Sequence, residues 1–257
     1  VITDTNIHLS RWPFRRLPGD DTASLVARLR ARNVARAWAA SFDALLHEDI
    51  GGVNARLAEE CRSAPDFLIP FGTVNLRLPD WREDVRRCAE DYSMPGLRLV
   101  PGYQGYDLAH PDVPELFGMA ARRKLLIQLV VKMEDERTQN PLVQVKPLDL
   151  RLLPDLAASA SGLRLQILNY RPTGDFSEAV RLARAGQVYF DTGMVESANG
   201  LRKLLDAIPL ERVLFGSHSP FFYFESNALK IRESDLSEAE AEAVLSGNAE
   251  ELLGAGR

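Results

Sequence analysis

Val1-Ile2-Thr3-Asp4-Thr5-Asn6-Ile7-His8-Leu9 opens the chain, and the fold turns on how these residues are read. Strand side chains alternate between faces, so Asp4, Asn6 and His8 share one side while Thr3, Thr5, Ile7 and Leu9 share the other. Three polar groups pointing one way do not describe a half-solvated edge strand. They describe a strand whose inner face turns polar towards its C-terminal end, where a site would sit. The rest of the chain is then the scaffold that delivers other side chains to Asn6 and His8.

Outward from that strand, Ser10 to Asp21 holds Arg11, Trp12, Pro13, Phe14, Arg15 and Arg16 in a Pro- and Gly-broken loop. Arginines beside aromatics suit a grip on an anionic substrate and equally suit a solvated loop. Then strand and helix patterns alternate. Strands are expected at 34–41, 67–76, 96–101, 125–133, 163–170, 188–192 and 213–217. Helices are expected at 22–32, 49–61, 79–92, 111–123, 148–159, 176–185 and 197–207, with a helical tail over 237–253 interrupted around Gly247. Strands apolar on both faces and separated by helices imply a parallel sheet covered by helices. Eight such units in about 250 residues match a closed (β/α)8 TIM barrel forming one domain over 1–257. An open doubly wound sheet is the other architecture, but no Gly-x-Gly-x-x-Gly turn follows the first strand.

The composition agrees with an enzyme-sized globular domain: 257 residues, 46% hydrophobic, 26% charged, net charge -5. No basic tract points to nucleic acid, and no long uncharged apolar run points to a membrane. Cys61 and Cys88 each sit in a helical pattern, which speaks for a reducing compartment and against a disulfide scaffold. With the chain beginning directly in a strand, the expectation is a cytoplasmic protein without a targeting segment.

Barrel sites lie at the C-terminal strand ends. Those ends offer Asn6 and His8, Asn75, Arg98 with the Tyr103 loop, Lys132 with Glu134, Asp135 and Arg137, Asn169 and Tyr170, Asp191 and Glu196, and His218. Each has a plainer reading. A strand-end histidine is commonly a hydrogen-bonded structural residue, Asp191 could cap a helix, Asp4 could hold backbone amides, and residues 134–137 could be a solvated charge run. His47 and His110 are read as surface residues. Phe221, Phe222, Tyr223 and Phe224 cost too much to leave exposed, so they wall a pocket or pack on a neighbouring subunit of a homo-oligomer.

Several of these pieces resemble the metal-dependent amidohydrolase superfamily, in its branch of TIM-barrel hydrolases and decarboxylases. Residues 2–8 are similar to that branch's Asp-x-His-x-His strand. Gly96-Leu97-Arg98-Leu99 is similar to its fourth strand, Phe190-Asp191 to its seventh, and Leu214-Phe215-Gly216-Ser217-His218-Ser219-Pro220 to its Phe-Gly-Ser-Asp-x-Pro eighth strand. Gly247-Asn248-Ala249-Glu250-Glu251-Leu252-Leu253 is similar to its closing turn and helix. The resemblance implies one divalent ion, often zinc, held by histidines of strands one, five and six and an aspartate of strand eight. Here those positions carry Asn6, His8, Lys132, Asn169 and His218. His8 and His218 remain as metal ligands, short of the three protein ligands a catalytic zinc takes.

Three functions are therefore expected to compete. The first is a hydrolase acting on a small carboxylate-bearing substrate, with its metal site altered or lost; a decarboxylase of the same family is its variant. His8, His218, Lys132 and Asp191 would be its catalytic residues, and Asn6, Arg98, Tyr103, Glu134, Arg137 and Asn169 would bind substrate. The second is a catalytically inactive barrel that binds a ligand or partner. The third is a structural subunit using residues 221–224 as an interface.

Overall fold

The computed structural model describes residues 1–172 and 175–254; the rest of the 1–257 span lies outside the described residues. One arc of sheet joins β1 (Ile2–Leu9), β2 (Val34–Ser41) and β3 (Leu68–Pro70). A second joins β4 (Gly96–Leu99), β5 (Leu126–Val130), β6 (Arg164–Leu168), β7 (Gln187–Asp191) and β8 (Val213–Leu214). Neighbouring strands within each arc are parallel.

Two seams close the ring. At one, Thr5 N donates to Phe215 O and His8 N to Ser219 O, both at 2.9 Å; at the other, Gly72 N donates to Gly96 O at 3.2 Å and Arg98 N to Gly72 O at 2.7 Å. An open sheet has no such seams. The fold is a (β/α)8 barrel, and residues near opposite ends of the chain are neighbours across one of its seams.

Amphipathic helices cover the ring. Thr22–Arg30, capped by Asp21, buries Leu25, Val26 and Leu29, and Ile50–Cys61, capped by Asp49, buries Val53, Leu57 and Ala58. Both cysteines are buried and unpaired. Among the described residues no helix is long and apolar enough to cross a membrane.

Several boundaries differ from expectation for local reasons. β3 ends at Pro70 because Gly72 crosses to pair with β4. A short helix, Pro101–Gln104, occupies the loop after β4. The tail runs on through Gly247 as a π turn, Ala243–Gly247, between Glu238–Glu242 and Asn248–Gly254. Phe224–Glu233 is a helix that the sequence reading missed, since it buries only Phe224, Asn227 and Ile231 and leaves Leu229 exposed.

Candidate active site

The register of β1 against β2 shifts twice, between Ile2 and Thr3 and between Asp4 and Ile7, and the site is built at the second. From Asp4 to Ile7 the strand takes three steps while β2 takes two, from Ala37 to Ala39. The extra residue of this bulge lets both Thr5 and Asn6 reach strands across the barrel. Asn6 Nδ2 donates to Asn169 Oδ1 at 2.9 Å and to Asp191 Oδ2 at 2.7 Å. Asp191 Oδ1 accepts from Asn169 N at 2.8 Å, and Asn169 Nδ2 donates to the Lys132 carbonyl at 2.8 Å. Gly216 permits this approach: a Cβ there would stand 2.7 Å from Asp191 Oδ2. Asp4, by contrast, turns to the β8 loop and accepts from Ser217 N and Ser217 Oγ.

Arg98 lies below Asn6, 1% exposed, with its guanidinium fully engaged. It donates to the carbonyls of Ile7 (2.6 Å), Thr5 (3.1 Å) and Trp38 (3.1 Å) and to Gln128 Oε1 (2.8 Å). Gln128 continues to Gln166, and Gln166 to Thr5 Oγ1, each at 2.7 Å. These partners tie the cation to the frame, leaving no donor to grip a substrate carboxylate, which corrects the substrate-binding role expected of Arg98. Its burial is offset by Asp191 and Asp4; even so, its pKa falls to about 9. Burial in turn raises Asp4 and Asp191 to about 6 each.

The two expected histidines meet edge to face, ring centroids 5.4 Å apart. His218 has φ 57° and donates from Nε2 to Met133 O at 2.8 Å, which leaves Nδ1 facing Asn169 Nδ2 at 3.5 Å. His8 stacks on Phe42 at 4.7 Å, and its Nε2 lies 3.3 Å from Arg98 Nη1. An acceptor facing a guanidinium puts the proton on Nδ1, which is buried without a partner. Burial lowers His218 to about 4, and burial, then Arg98, then His218 hold His8 well below its usual value. Both imidazoles are neutral at pH 7.

An aromatic roof closes the mouth. Trp12 packs edge to face on Phe14, Phe42, Tyr103 and Phe221, with centroids 4.9 to 6.0 Å away. Trp12 Nε1 and Tyr103 Oη are buried and, like His8 Nδ1, lack a hydrogen-bond partner. Over the roof, Arg15 lies 5.1 Å above the Phe221 ring and bonds buried Glu134 at 3.2 Å. Of the 221–224 run, Phe221 and Phe222 pack on His218, Phe224 packs on Phe215, and only Tyr223 is exposed.

The barrel thus gathers Asn6, His8, Arg98, Asn169, Asp191 and His218 into one cluster, with Tyr103 and Glu134 in its roof. Two expected residues stand apart. Only the carbonyl of Lys132 reaches the cluster, and Arg137 is exposed, paired with Asp135 two residues away. Trp12 belongs to the loop expected to suit a grip on an anion, whereas Thr5, Phe42, Gln128 and Gln166 are not among the expected site residues. A lone glutamine inside each of two apolar strands was the available signal for the last two.

A family model described as amidohydrolase matches residues 3–255. This chain belongs to the amidohydrolase family. No curated protein matches it. Among solved structures, a 2,6-dihydroxybenzoate decarboxylase from Rhizobium is similar at TM-score 0.76 and 15% identity, covering 100% of this chain and 99% of that one. A 5-carboxyvanillate decarboxylase from Novosphingobium aromaticivorans, solved with manganese, gives TM-score 0.73 and 13% identity over 99% and 97%. A dihydroxybenzoic acid decarboxylase from Polaromonas sp., solved with manganese and 2-nitroresorcinol, gives 0.73 and 13% over 100% and 97%. At these identities the likeness shows the fold.

The amidohydrolase fold raises the question of a divalent ion, and the donors here do not fit one. Asn6 and Asn169 are neutral amides bonded to each other, and both Asp191 oxygens are occupied. His218 Nε2 is spent on Met133 O, and a guanidinium sits where an ion would meet His8 Nε2. Among the described residues no group of three His, Cys, Asp or Glu is placed to hold a metal.

Proposed function

We propose that this chain is a metal-independent enzyme of the amidohydrolase family that decarboxylates a small aromatic carboxylate at the barrel mouth. One observation carries the reading: His8 Nδ1, Trp12 Nε1 and Tyr103 Oη are buried polar groups without partners, set in one aromatic cluster above a buried cation. Unpaired buried donors are costly, and a carboxylate supplies the acceptors they lack. The aromatic rings suit an aromatic body.

Decarboxylation suits this mouth better than hydrolysis. Hydrolysis consumes a water that a base must activate, and the cluster's carboxylate, Asp191, is committed to Asn6 and Asn169. Loss of CO2 breaks one carbon–carbon bond, needs one proton at the ring carbon and consumes no water. A dry aromatic wall destabilises an ionised carboxylate relative to neutral CO2. His8 is the group we assign to that proton, because a bound anion opposes the burial and the Arg98 charge that otherwise keep it neutral. The names of the similar solved decarboxylases support the substrate class.

The test is release of CO2 from a panel of hydroxybenzoates in EDTA, with His8→Gln as control. The reading expects turnover that EDTA leaves intact and His8→Gln abolishes. A catalytically silent binder is the second reading, favoured by the closed hydrogen bonding of Asn6, Asn169 and Asp191. It expects saturable thermal stabilisation by the same compounds with no CO2. Neither turnover nor stabilisation would sink both.

A further inference from the structure

A cleft of about 450 Å³ lies at the end of the barrel opposite the mouth, where β3 to β6 begin. Leu68, Met94 and Leu125 give it apolar walls, and Arg123, Lys124 and Arg164 also line it. Among the described residues no carboxylate does. Arg164, the first residue of β6, is 6% exposed. Its guanidinium donates only to the carbonyls of Leu252 and Lys124, and among the described residues no carboxylate offsets its burial. Among the described residues the other buried arginine, Arg98, has both Asp191 and Asp4 for that purpose. A second donor at the cleft, Arg123 Nε, is buried without a partner, although Arg123 Nη2 reaches Glu90 at 3.4 Å.

Carbonyl dipoles orient a guanidinium but do not neutralise it, and a buried cation lacking a counter-charge is costly. A cavity of ligand size, apolar on its walls and cationic at its rim, is the complement of an anion with an apolar body. We propose that this cleft binds a small amphipathic carboxylate, at a site separate from the mouth.

The test is thermal shift of the full chain with octanoate, 1-octanol and inorganic phosphate. Octanoate is expected to give a saturable rise in Tm that the alcohol and phosphate do not. The Arg123→Gln/Lys124→Gln double variant, altered at the cleft rim, should keep its ligand-free Tm while weakening octanoate binding about tenfold or more. Arg15→Ala, at the mouth rim, should leave octanoate affinity unchanged. The proposal is overturned by no saturable shift with octanoate, by an equal shift with octanol or phosphate, by undiminished affinity in the double variant, or by loss of affinity in Arg15→Ala.

Discussion

The two ends of this barrel bury charge in opposite ways. At the C-terminal end, Arg98 is matched by Asp4 and Asp191 and roofed by Trp12, Phe42 and Phe221, and its hydrogen-bonding capacity is used up. At the N-terminal end, Arg164 leans on two carbonyls beside an open cleft. A cation with counter-charges holds strands together; one without them is available to a ligand. The difference separates a charge that serves the frame from one poised for binding.

Deleting each charge tests that distinction with the largest effects. Arg98→Met strands two buried carboxylates and should cost about 3–5 kcal/mol. Arg164→Met strands only carbonyls and should cost roughly 1 kcal/mol. Urea denaturation measures both, and equal losses would erase the contrast. Next, Trp12→Ala removes the centre of the roof and should cost about 3 kcal/mol or more, with faster amide hydrogen exchange around His8. Unchanged exchange would mean that the roof does not seal the mouth.

The pH dependence is smaller, and at the C-terminal end three buried groups share it, His218 opposed by Asp191 and Asp4. His218 falls from 6.5 to about 4 on folding, so its contribution is present above pH 6.5 and lost as pH drops towards 4. Asp191 rises from 3.8 to about 6, so its contribution is present below pH 3.8 and lost as pH climbs to 6. The two oppose each other over pH 4–6. Asp191→Asn should therefore make stability climb more steeply with pH, by about 1–2 kcal/mol between pH 4.5 and 6.5 in urea titrations. An unaltered slope would remove Asp191 from the titrating set. Smallest of all, Arg15→Ala removes the half-exposed partner of Glu134, whose carboxylate is buried, and should cost about 1 kcal/mol, diminishing in high salt. A larger, salt-independent loss would make Arg15 part of the frame.

What could be read in advance followed from periodicity and topology. Strand and helix patterns implied a closed ring, and the ring alone carries His8 to His218 across 210 residues of chain. Local departures stayed hidden. The bulge at Thr5–Asn6 has no signature in Thr-Asp-Thr-Asn, so Thr5 was placed on the wrong side. Lys132 reads as a strand end, yet β5 stops at Val130, and it is the Lys132 carbonyl that bonds Asn169. Arg137 finds its partner two residues away, so nothing draws it inward. Trp12 comes from an irregular loop and Phe42 from the start of the short 3-10 helix Phe42–Leu45, where no period tells which side chain folds over the mouth. The cations of the lower cleft lie next to helix and strand termini and look like ordinary surface charge until burial is seen.

The claim on which the mouth's chemistry rests is that its amides, histidines and guanidinium complete one another without an ion. Elemental analysis of chain purified in excess manganese, followed by desalting and a thermal scan, tests it most directly. The account predicts far less than one ion per chain and a Tm indifferent to manganese. One ion per chain, with a rise in Tm that His8→Ala removes, would contradict it.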